Sequence, residues 1–142
     1  MGNACRFIAP VAKIFCQGKG LDVGGGAWPL EGAQRHDQED GGAYQLPDWQ
    51  YDYIFSSHCL EHLANPITAL TVWKEHLVSG GVLFLYLPHP DMEYWRPQNC
   101  LKHRHIWPPE AMAGIITDLG FQDIVYSERD MAWSFCVVGY KA

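Results

Sequence analysis

Three consecutive glycines directly after a short apolar segment are the clearest candidate for ligand binding in the sequence. Residues 21–26 read Leu-Asp-Val-Gly-Gly-Gly, and glycines let the backbone turn tightly and approach a ligand closely. A P-loop would need Gly-Lys followed by Ser or Thr after the glycines, whereas Ala27-Trp28-Pro29 follows here. A dinucleotide fingerprint would need a glycine at the position of Pro29. Two interpretations stay open: a plain turn, and a binding loop with an acidic residue, Asp22, two positions before its first glycine.

Residues 58–62 read His-Cys-Leu-Glu-His and match H-x-x-E-H, a zinc-hydrolase signature. In that signature two histidines on one helical turn bind the metal and the glutamate acts as a base. This chemistry needs an uninterrupted helix and a third, acidic ligand on another helix. Asn65-Pro66 would interrupt the helix three residues later, and an aromatic, strand-like segment runs directly into His58. We therefore expect no metal, and a zinc hydrolase through His58 and His62 is the less favoured alternative.

Residues 88–107 form a further region whose side chains could contact a substrate. The segment holds three histidines and three large aromatic residues, which are His89, His103, His105, Tyr94, Trp95 and Trp107. It has little apolar periodicity and follows a buried, strand-like run, so we interpret it as a loop over the carboxyl edge of a sheet. A lid packed by its own aromatic residues and a substrate-binding loop fit it equally well. A metal pair of His103 and His105 would need further ligands.

Apolar periodicity predicts the elements that must position these residues. Helical spacing appears at residues 4–17, with Pro10 predicting a break or kink, between Asn65-Pro66 and a stop at Gly80-Gly81, and after Pro109. Strands are predicted at residues 20–23, 33–37, 51–55, 82–87, 121–127 and 133–140. The last two are close enough in sequence to pair as an antiparallel hairpin. This order predicts a three-layer α/β domain with a mostly parallel sheet.

Composition narrows the class of protein. The 142 residues fit one compact domain, which we place at residues 1–142. A content of 48% hydrophobic and 18% charged residues excludes a disordered chain. The formal net charge of −6 and the lack of a Lys/Arg cluster argue against a nucleic-acid partner. The five cysteines are scattered and form no C-x-x-C pair, which indicates free thiols in a reducing compartment. No apolar run is long enough to span a bilayer. We expect a soluble, cytoplasmic protein that does not bind membranes.

Four segments in a fixed order carry a family resemblance. Residues 18–26, 51–63, 66–70 and 77–83 together resemble the class I S-adenosylmethionine-dependent methyltransferases, in particular the small, type 11/23-like branch with a Leu-Glu-His-Leu motif. The resemblance runs over nearly the whole chain. It implies a Rossmann-like sheet of seven strands, mostly parallel with the last strand antiparallel, or of six strands if the short second strand does not form. It also implies S-adenosylmethionine as the cofactor.

The resemblance assigns cofactor-binding roles to matching positions. The acidic glycine loop is expected to hold the methionine part, Asp37 the ribose hydroxyls, the segment around Tyr44 the adenine, and the residues after the third predicted strand the methyl-transfer site. A carboxylate suits the ribose role because it can accept two hydroxyl hydrogen bonds. The complete set of expected cofactor-binding residues is Asp22, Gly24, Gly25, Gly26, Asp37, Ala43, Tyr44, Leu46, Ser57, His58 and Leu60.

One departure from the family pattern concerns the connection between the first two strands. Only about ten residues separate Gly26 from Asp37, which is too few for a helix, a loop and a strand. We therefore expect a contracted first crossover in the form of a turn. Trp28 stands where relatives usually carry a small residue.

The function implied by the resemblance is methyl transfer to an oxygen or nitrogen nucleophile of a small-molecule acceptor, which we expect to meet the loop of residues 89–105. Such a nucleophile must lose a proton, and a neutral histidine is suited to accept it. The candidates are His58, His89 and His103, with His105 behind them. A non-catalytic S-adenosylmethionine-binding partner subunit is the main alternative, and a homodimer is left open.

Overall fold

The computed structural model describes residues 3–142, which form a mixed sheet with helices on both faces. The helices are α1 (Cys5–Phe15), α2 (Pro66–Glu75) and α3 (Pro109–Asp118), with short 3₁₀ helices at Gln38–Asp40, Leu60–His62 and Glu93–Trp95. The strands are β1 (Gly20–Val23), β2 (Ala33–His36), β3 (Tyr51–Ser57), β4 (Leu77–Pro88), β5 (Phe121–Tyr126) and β6 (Ser134–Lys141). Within residues 3–142 no helix combines the length and the apolar character needed to cross a membrane.

The strand order is β2-β1-β3-β4-β6-β5. The first four strands pair in parallel, and β6 runs antiparallel to both β4 and β5. The mostly parallel sheet with an antiparallel last strand is therefore confirmed. The expectation of seven strands is wrong, because the described chain forms six. The short second strand does form, and the missing strand would lie in residues 37–50, which make a 3₁₀ helix and turns instead.

Both faces of the sheet are buried, which explains the continuous apolar run of β4. Leu83, Leu85 and Leu87 belong to a core cluster that includes residues of α2 and α3. Phe84 and Tyr86 belong to a second cluster with α1. Alternate side chains of a strand point to opposite faces. The chain therefore folds into three layers, with α1 on one side of the sheet and α2 and α3 on the other.

The connection from β1 to β2 is contracted, as expected, and contains no helix between residues 24 and 32. Leu30 anchors this turn, because its side chain is 2% exposed and packs in the α1 cluster. Its backbone N–H donates a 2.7 Å hydrogen bond to Oδ2 of Asp22. An apolar anchor and a buried carboxylate thus replace the helix that usually joins two parallel strands.

Two local expectations differ from the structure. Helix α1 does not break at Pro10, and the carbonyl that loses its hydrogen bond belongs to Arg6, an exposed residue that water can reach. Helix α2 ends at Glu75, not at the glycine pair. Gly80 and its neighbour lie inside β4, where the pairing with β3 shifts register and Gly80 adopts a φ of +77°. The glycine pair therefore marks an irregularity in a strand, since a positive φ suits glycine there.

The packing of Leu30 predicts a large effect on stability. We expect Leu30→Ala to lower the free energy of unfolding by about 2–5 kcal/mol, because it leaves a cavity beneath α1. The matched control is Leu101→Ala, whose side chain is 97% exposed and whose effect should stay within about 0.5 kcal/mol. Urea denaturation measures both. Equal effects of the two variants would show that Leu30 does not anchor the turn.

Candidate active site

Two adjoining pockets open at the carboxyl edge of the parallel strands. The first, which we call the glycine-loop pocket, has a volume of about 530 Å³. The second, which we call the Asp37 pocket, has a volume of about 570 Å³. The glycine-loop pocket is lined by residues that include Asp22, Gly24, Gly26, Ser57, Trp95 and His103. The Asp37 pocket is lined by residues that include Asp37, Gly42, Ala43, Tyr44, Cys59 and Arg104. Gly24, His58, His62 and Lys102 line both pockets.

The glycine loop follows β1 directly, and Gly24, Gly25 and Gly26 all line the glycine-loop pocket. Gly24 has a φ of +80°, and a Cβ added there would lie 2.9 Å from the Cβ and Sγ atoms of Cys59. Its N–H donates a 2.8 Å hydrogen bond to the carbonyl oxygen of His36, at the end of β2. The loop is therefore held by its neighbouring strand and leaves its backbone accessible to a ligand.

Asp22 and Ser57 present buried polar groups to the glycine-loop pocket. Asp22 is 1% exposed, and burial raises its pKa to about 7, partly offset by the hydrogen bond from Leu30. The Oγ atom of Ser57 is buried and has no hydrogen-bond partner among the described residues. Buried polar groups are normally hydrogen-bonded, so an unpaired hydroxyl in a pocket wall is suited to a polar ligand.

Asp37 has a structural task as well as a place in the Asp37 pocket. Its Oδ2 atom accepts a hydrogen bond of 2.9 Å from the N–H of Gly26. Its Oδ1 atom accepts one of 2.9 Å from the N–H of Gln38. Arg35 supports the same loop, because its Nε donates to the carbonyl oxygen of Gly26 at 2.6 Å. Nη2 of Arg35 also donates to Oδ2, at 3.5 Å. Each carboxylate oxygen has two lone pairs, so the free lone pair of Asp37 is on Oδ1.

The segment after the first 3₁₀ helix forms another wall of the Asp37 pocket through Ala43 and Tyr44. The indole N–H of Trp73, a fully buried residue, donates to the carbonyl oxygen of Ala43 at 2.7 Å. This bond fixes the segment against α2. Leu46 and Leu60, also expected to contact the cofactor, are 8% and 0% exposed and lie in the hydrophobic core. Neither is among the residues that line the two pockets.

His58 lies where β3 ends and lines both pockets. Its φ of +51° is unusual for a residue with a side chain. Its Nε2 atom is 2.9 Å from Oγ of Ser134, and its ring meets that of Trp95 edge-on, with 5.3 Å between centroids. Burial, together with the nearby His103 and His62, lowers the pKa of His58 to about 4. The ring is therefore neutral at pH 7 and a weaker base than an unperturbed histidine.

The structure brings His103 to the site but not His89. His103 lines the glycine-loop pocket and is 8% exposed. Its Nδ1 donates to the carbonyl oxygen of Trp95 at 2.8 Å. His89 is not among the residues that line either pocket. Its Nδ1 accepts a hydrogen bond from the N–H of Asp91, and its ring packs edge-on against Phe135.

Sequence reasoning missed several residues of the pocket walls. Residues 3–7, at the start of α1, line the glycine-loop pocket, as does Ser134 at the start of β6. Lys102 lines both pockets. The amphipathic pattern of α1 identified the helix, but nothing in it indicated that its first turn reaches the carboxyl edge of the sheet. Ser134 carries no signal, because it reaches His58 only through the antiparallel pairing of β6 with β4.

Comparisons with known proteins agree with this geometry. A family model described as a methyltransferase domain matches residues 2–126. The chain belongs to this methyltransferase family. It is an S-adenosylmethionine-dependent methyltransferase, as the sequence segments predicted. No curated protein matches the chain at a significant level.

Solved structures share the fold of this methyltransferase at low sequence identity. A methyltransferase from Thermotoga maritima, described as a possible histamine N-methyltransferase, gives a TM-score of 0.76 at 16% identity and covers 99% of this chain and 90% of its own. One from Archaeoglobus fulgidus gives 0.69 at 14% identity and covers 97% and 95%. A complex of a Haloferax volcanii methyltransferase with the Trm112 activator gives 0.66 at 12% identity and covers 86% and 81%.

The residues present fit S-adenosylmethionine. The glycine loop offers backbone without side chains, the unpaired Ser57 hydroxyl offers a hydrogen bond, and Asp37 retains a free lone pair on Oδ1 in the adjoining pocket. The segment of residues 58–62 forms a bend and a 3₁₀ helix, not the continuous helix of a zinc hydrolase. The family match and the geometry of the two pockets are therefore both consistent with a methyltransferase.

The raised pKa of Asp22 predicts how stability depends on pH. The carboxyl group changes from an ordinary pKa of 3.8 to about 7 on folding, so between these values the folded protein binds more protons than the unfolded chain. Its contribution to stability is therefore present below about pH 4 and lost as the pH rises to about 7. Asp22→Asn keeps an oxygen for the Leu30 N–H and removes this titration.

We expect the free energy of unfolding of Asp22→Asn, relative to the wild type, to increase with pH over that interval and then to level off. Urea denaturation without cofactor at several pH values between about 4 and 8 measures this difference. A difference that does not change with pH would show that Asp22 titrates normally in the folded protein.

Asp37 yields a prediction for cofactor binding. We expect Asp37→Ala to weaken S-adenosylhomocysteine binding by about 1–3 kcal/mol, because it removes a charged hydrogen-bond acceptor and the support of the Gly26 N–H. Glu39→Ala is the control, since Glu39 is an exposed carboxylate on the same Arg35 network. Calorimetric titration of both variants should show a loss for Asp37→Ala alone. Unchanged affinity would remove Asp37 from the cofactor site.

Proposed function

We propose that this methyltransferase transfers a methyl group from S-adenosylmethionine to an oxygen or nitrogen atom of a small-molecule acceptor, which binds in the glycine-loop pocket. The observation that carries the proposal is the pair of pockets that meet at Gly24 and His58. One pocket carries the ribose-type carboxylate, and the other carries aromatic and histidine side chains from the loop after β4. This arrangement supports a cofactor that spans both pockets, with its methionine part at the glycine loop, and an acceptor beside it in the glycine-loop pocket.

The residues that would hold the cofactor lie on strand ends and on the loops tied to them. Asp37 and Tyr44 would hold the adenosine part, and Asp22, Gly24 and Ser57 the methionine part. When bound, the cofactor supplies an electrophilic methyl group on a positively charged sulfur atom. Because Asp22 is buried beside this position, its ionised form would be favoured by a positive charge on the ligand.

The size and lining of the glycine-loop pocket favour a small acceptor. A volume of about 530 Å³ is in the range of small-molecule sites. Trp28, Trp95 and Phe7 add aromatic surface to its walls, which suits an acceptor with an apolar or aromatic body. The net charge of −6 provides no general attraction for a polyanion. These features support a small organic acceptor over a nucleic acid.

The chain's own residues would act mainly by alignment, since a displacement at a methyl carbon depends on the approach of the nucleophile in line with the leaving sulfur. Trp95 and the glycine loop would confine the acceptor from two sides. Ser134 and His58 form a hydrogen-bonded pair in the same wall. With a pKa near 4, His58 is neutral and can receive a hydrogen bond. Its weak basicity favours orientation of the nucleophile over full removal of its proton in advance.

Two neighbouring aromatic residues provide the test. Trp95 lines the glycine-loop pocket, whereas Tyr94 is 67% exposed and lines neither pocket. We expect Trp95→Ala to lower kcat/KM for a small acceptor at least about tenfold. Binding of S-adenosylhomocysteine should stay within about 0.5 kcal/mol, and Tyr94→Ala should change neither property.

The acceptor can be sought with panels of phenols, catechols and amines, using the release of S-adenosylhomocysteine as the readout. Equal damage to cofactor binding by Trp95→Ala would show that the loop is a structural lid. Turnover on DNA or RNA oligonucleotides without turnover on any small acceptor would contradict the proposed substrate class.

A further inference from the structure

We infer that Glu61, His62 and His103 form a binding site for a divalent transition-metal ion such as Zn²⁺. Each of these residues has one potential ligand atom, and the three atoms lie within 4.8 Å of one another. We call this group the Glu61 cluster. The inference does not depend on the proposed acceptor, because it rests on the burial and the hydrogen bonds of these side chains.

Glu61 is a buried carboxylate without a partner. The residue is 0% exposed, and neither of its side-chain oxygens has a hydrogen-bond partner in the part of the chain that the structure describes. Its Oε2 atom lies 3.6 Å from Nε2 of His62 and 3.8 Å from Nδ1 of His58, both too long for hydrogen bonds. A buried charge without compensation is costly, so this position requires a cation or a proton.

The two histidines of the Glu61 cluster are held in the form that binds a metal. Nδ1 of His62 lies 2.7 Å from the carbonyl oxygen of Lys102. Nδ1 of His103 lies 2.8 Å from the carbonyl oxygen of Trp95. A carbonyl oxygen only accepts, so each Nδ1 carries a proton, and Nε2 of each neutral ring is left with a lone pair. A metal-binding histidine usually donates its other N–H to a carbonyl or carboxylate in this way.

An ion satisfies the Glu61 cluster better than a proton does. The cluster combines two imidazole nitrogens with a carboxylate, all of them acceptors. One proton on Glu61 could serve a single neighbour, and the 3.6 Å separation from His62 is too long even for that. A metal ion can accept a lone pair from each of the three ligand atoms. Two histidines and one glutamate are a known ligand set for Zn²⁺, with a further coordination position open.

The backbone brings these ligands together from two parts of the chain. Glu61 and His62 lie in the 3₁₀ helix after β3, and His103 lies in the loop after β4. The N–H groups of Arg104 and His105 donate to the carbonyl oxygen of Glu61 at 2.7 and 3.2 Å. The sequence argued against a metal because a helix could not continue past Asn65. In the structure the third ligand, His103, comes from a loop and not from a helix. A bound ion would therefore connect the loop after β4 to the 3₁₀ helix after β3.

The experiment uses the full chain without an affinity tag, stripped with a chelator and titrated with ZnCl₂ by calorimetry. We expect about one equivalent to bind. His103→Gln and Glu61→Gln should each lower the affinity at least about tenfold, as loss of a ligand requires. The matched control is His105→Gln. The Nε2 atom of His105 donates to the carbonyl oxygen of Leu63 and so is not available to the ion. Its affinity should stay within about twofold of the wild type.

A second measurement separates loss of binding from loss of folding. Zn²⁺ should raise the Tm of the wild type and of His105→Gln but not that of His103→Gln. Co²⁺ should give the visible absorption of a bound ion in the same two proteins only. If Glu61→Gln does not fold, His103→Gln decides alone. No Zn²⁺ binding by the wild type, or equal binding by the wild type and a folded His103→Gln, would overturn the inference and leave a proton on Glu61.

Discussion

The short connection between β1 and β2 is the constraint on which the candidate site depends. Two parallel strands must be joined here through residues 24–32, without the helix that usually covers such a connection. Two carboxylates make this possible. Asp22 accepts the N–H of Leu30, and Asp37 accepts the N–H of Gly26. Because the same two side chains line the two pockets, the bonds that close the turn also place the acidic groups expected to meet the cofactor.

A second set of backbone hydrogen bonds determines the other half of the site. The carbonyl oxygen of Glu61 accepts two N–H groups from the loop after β4, and His62 donates to the carbonyl oxygen of Lys102. Loops normally lie on the surface and carry variable contacts. This one is bound to the turn after β3, so Trp95 and His103 are held over the pocket. The Glu61 side chain is buried beneath this contact without a hydrogen-bond partner among the described residues. A buried carboxylate of this kind needs a cation or a proton beside it.

The sequence is informative about the position of a residue where strand geometry determines that position. The carboxyl ends of parallel strands meet at one edge, so Asp22, Gly24 and Ser57 could be placed together from sequence. The sequence could not show that Leu46 and Leu60 lie in the core and not in a pocket wall. Their segments lack the periodicity that distinguishes inward from outward positions. His89 and His103 share one loop, and only the path of that loop decides which of them reaches the site. A sequence motif also does not show how deeply a histidine is buried, and burial is what makes His58 a weak base.

The strands that the described chain forms supply the walls of both pockets, although the sheet has six strands and not the expected seven. The strand ends that line the two pockets belong to β1, β2, β3 and β6. The missing strand and the missing crossover helix both belong to the region around β2, at the edge of the sheet. The contraction there removes covering structure but leaves the strand ends that line the two pockets. The first turn of α1 lines the glycine-loop pocket, and Leu30 packs in the α1 cluster. The contracted turn is therefore held by packing against α1 and by the hydrogen bonds of Asp22 and Asp37.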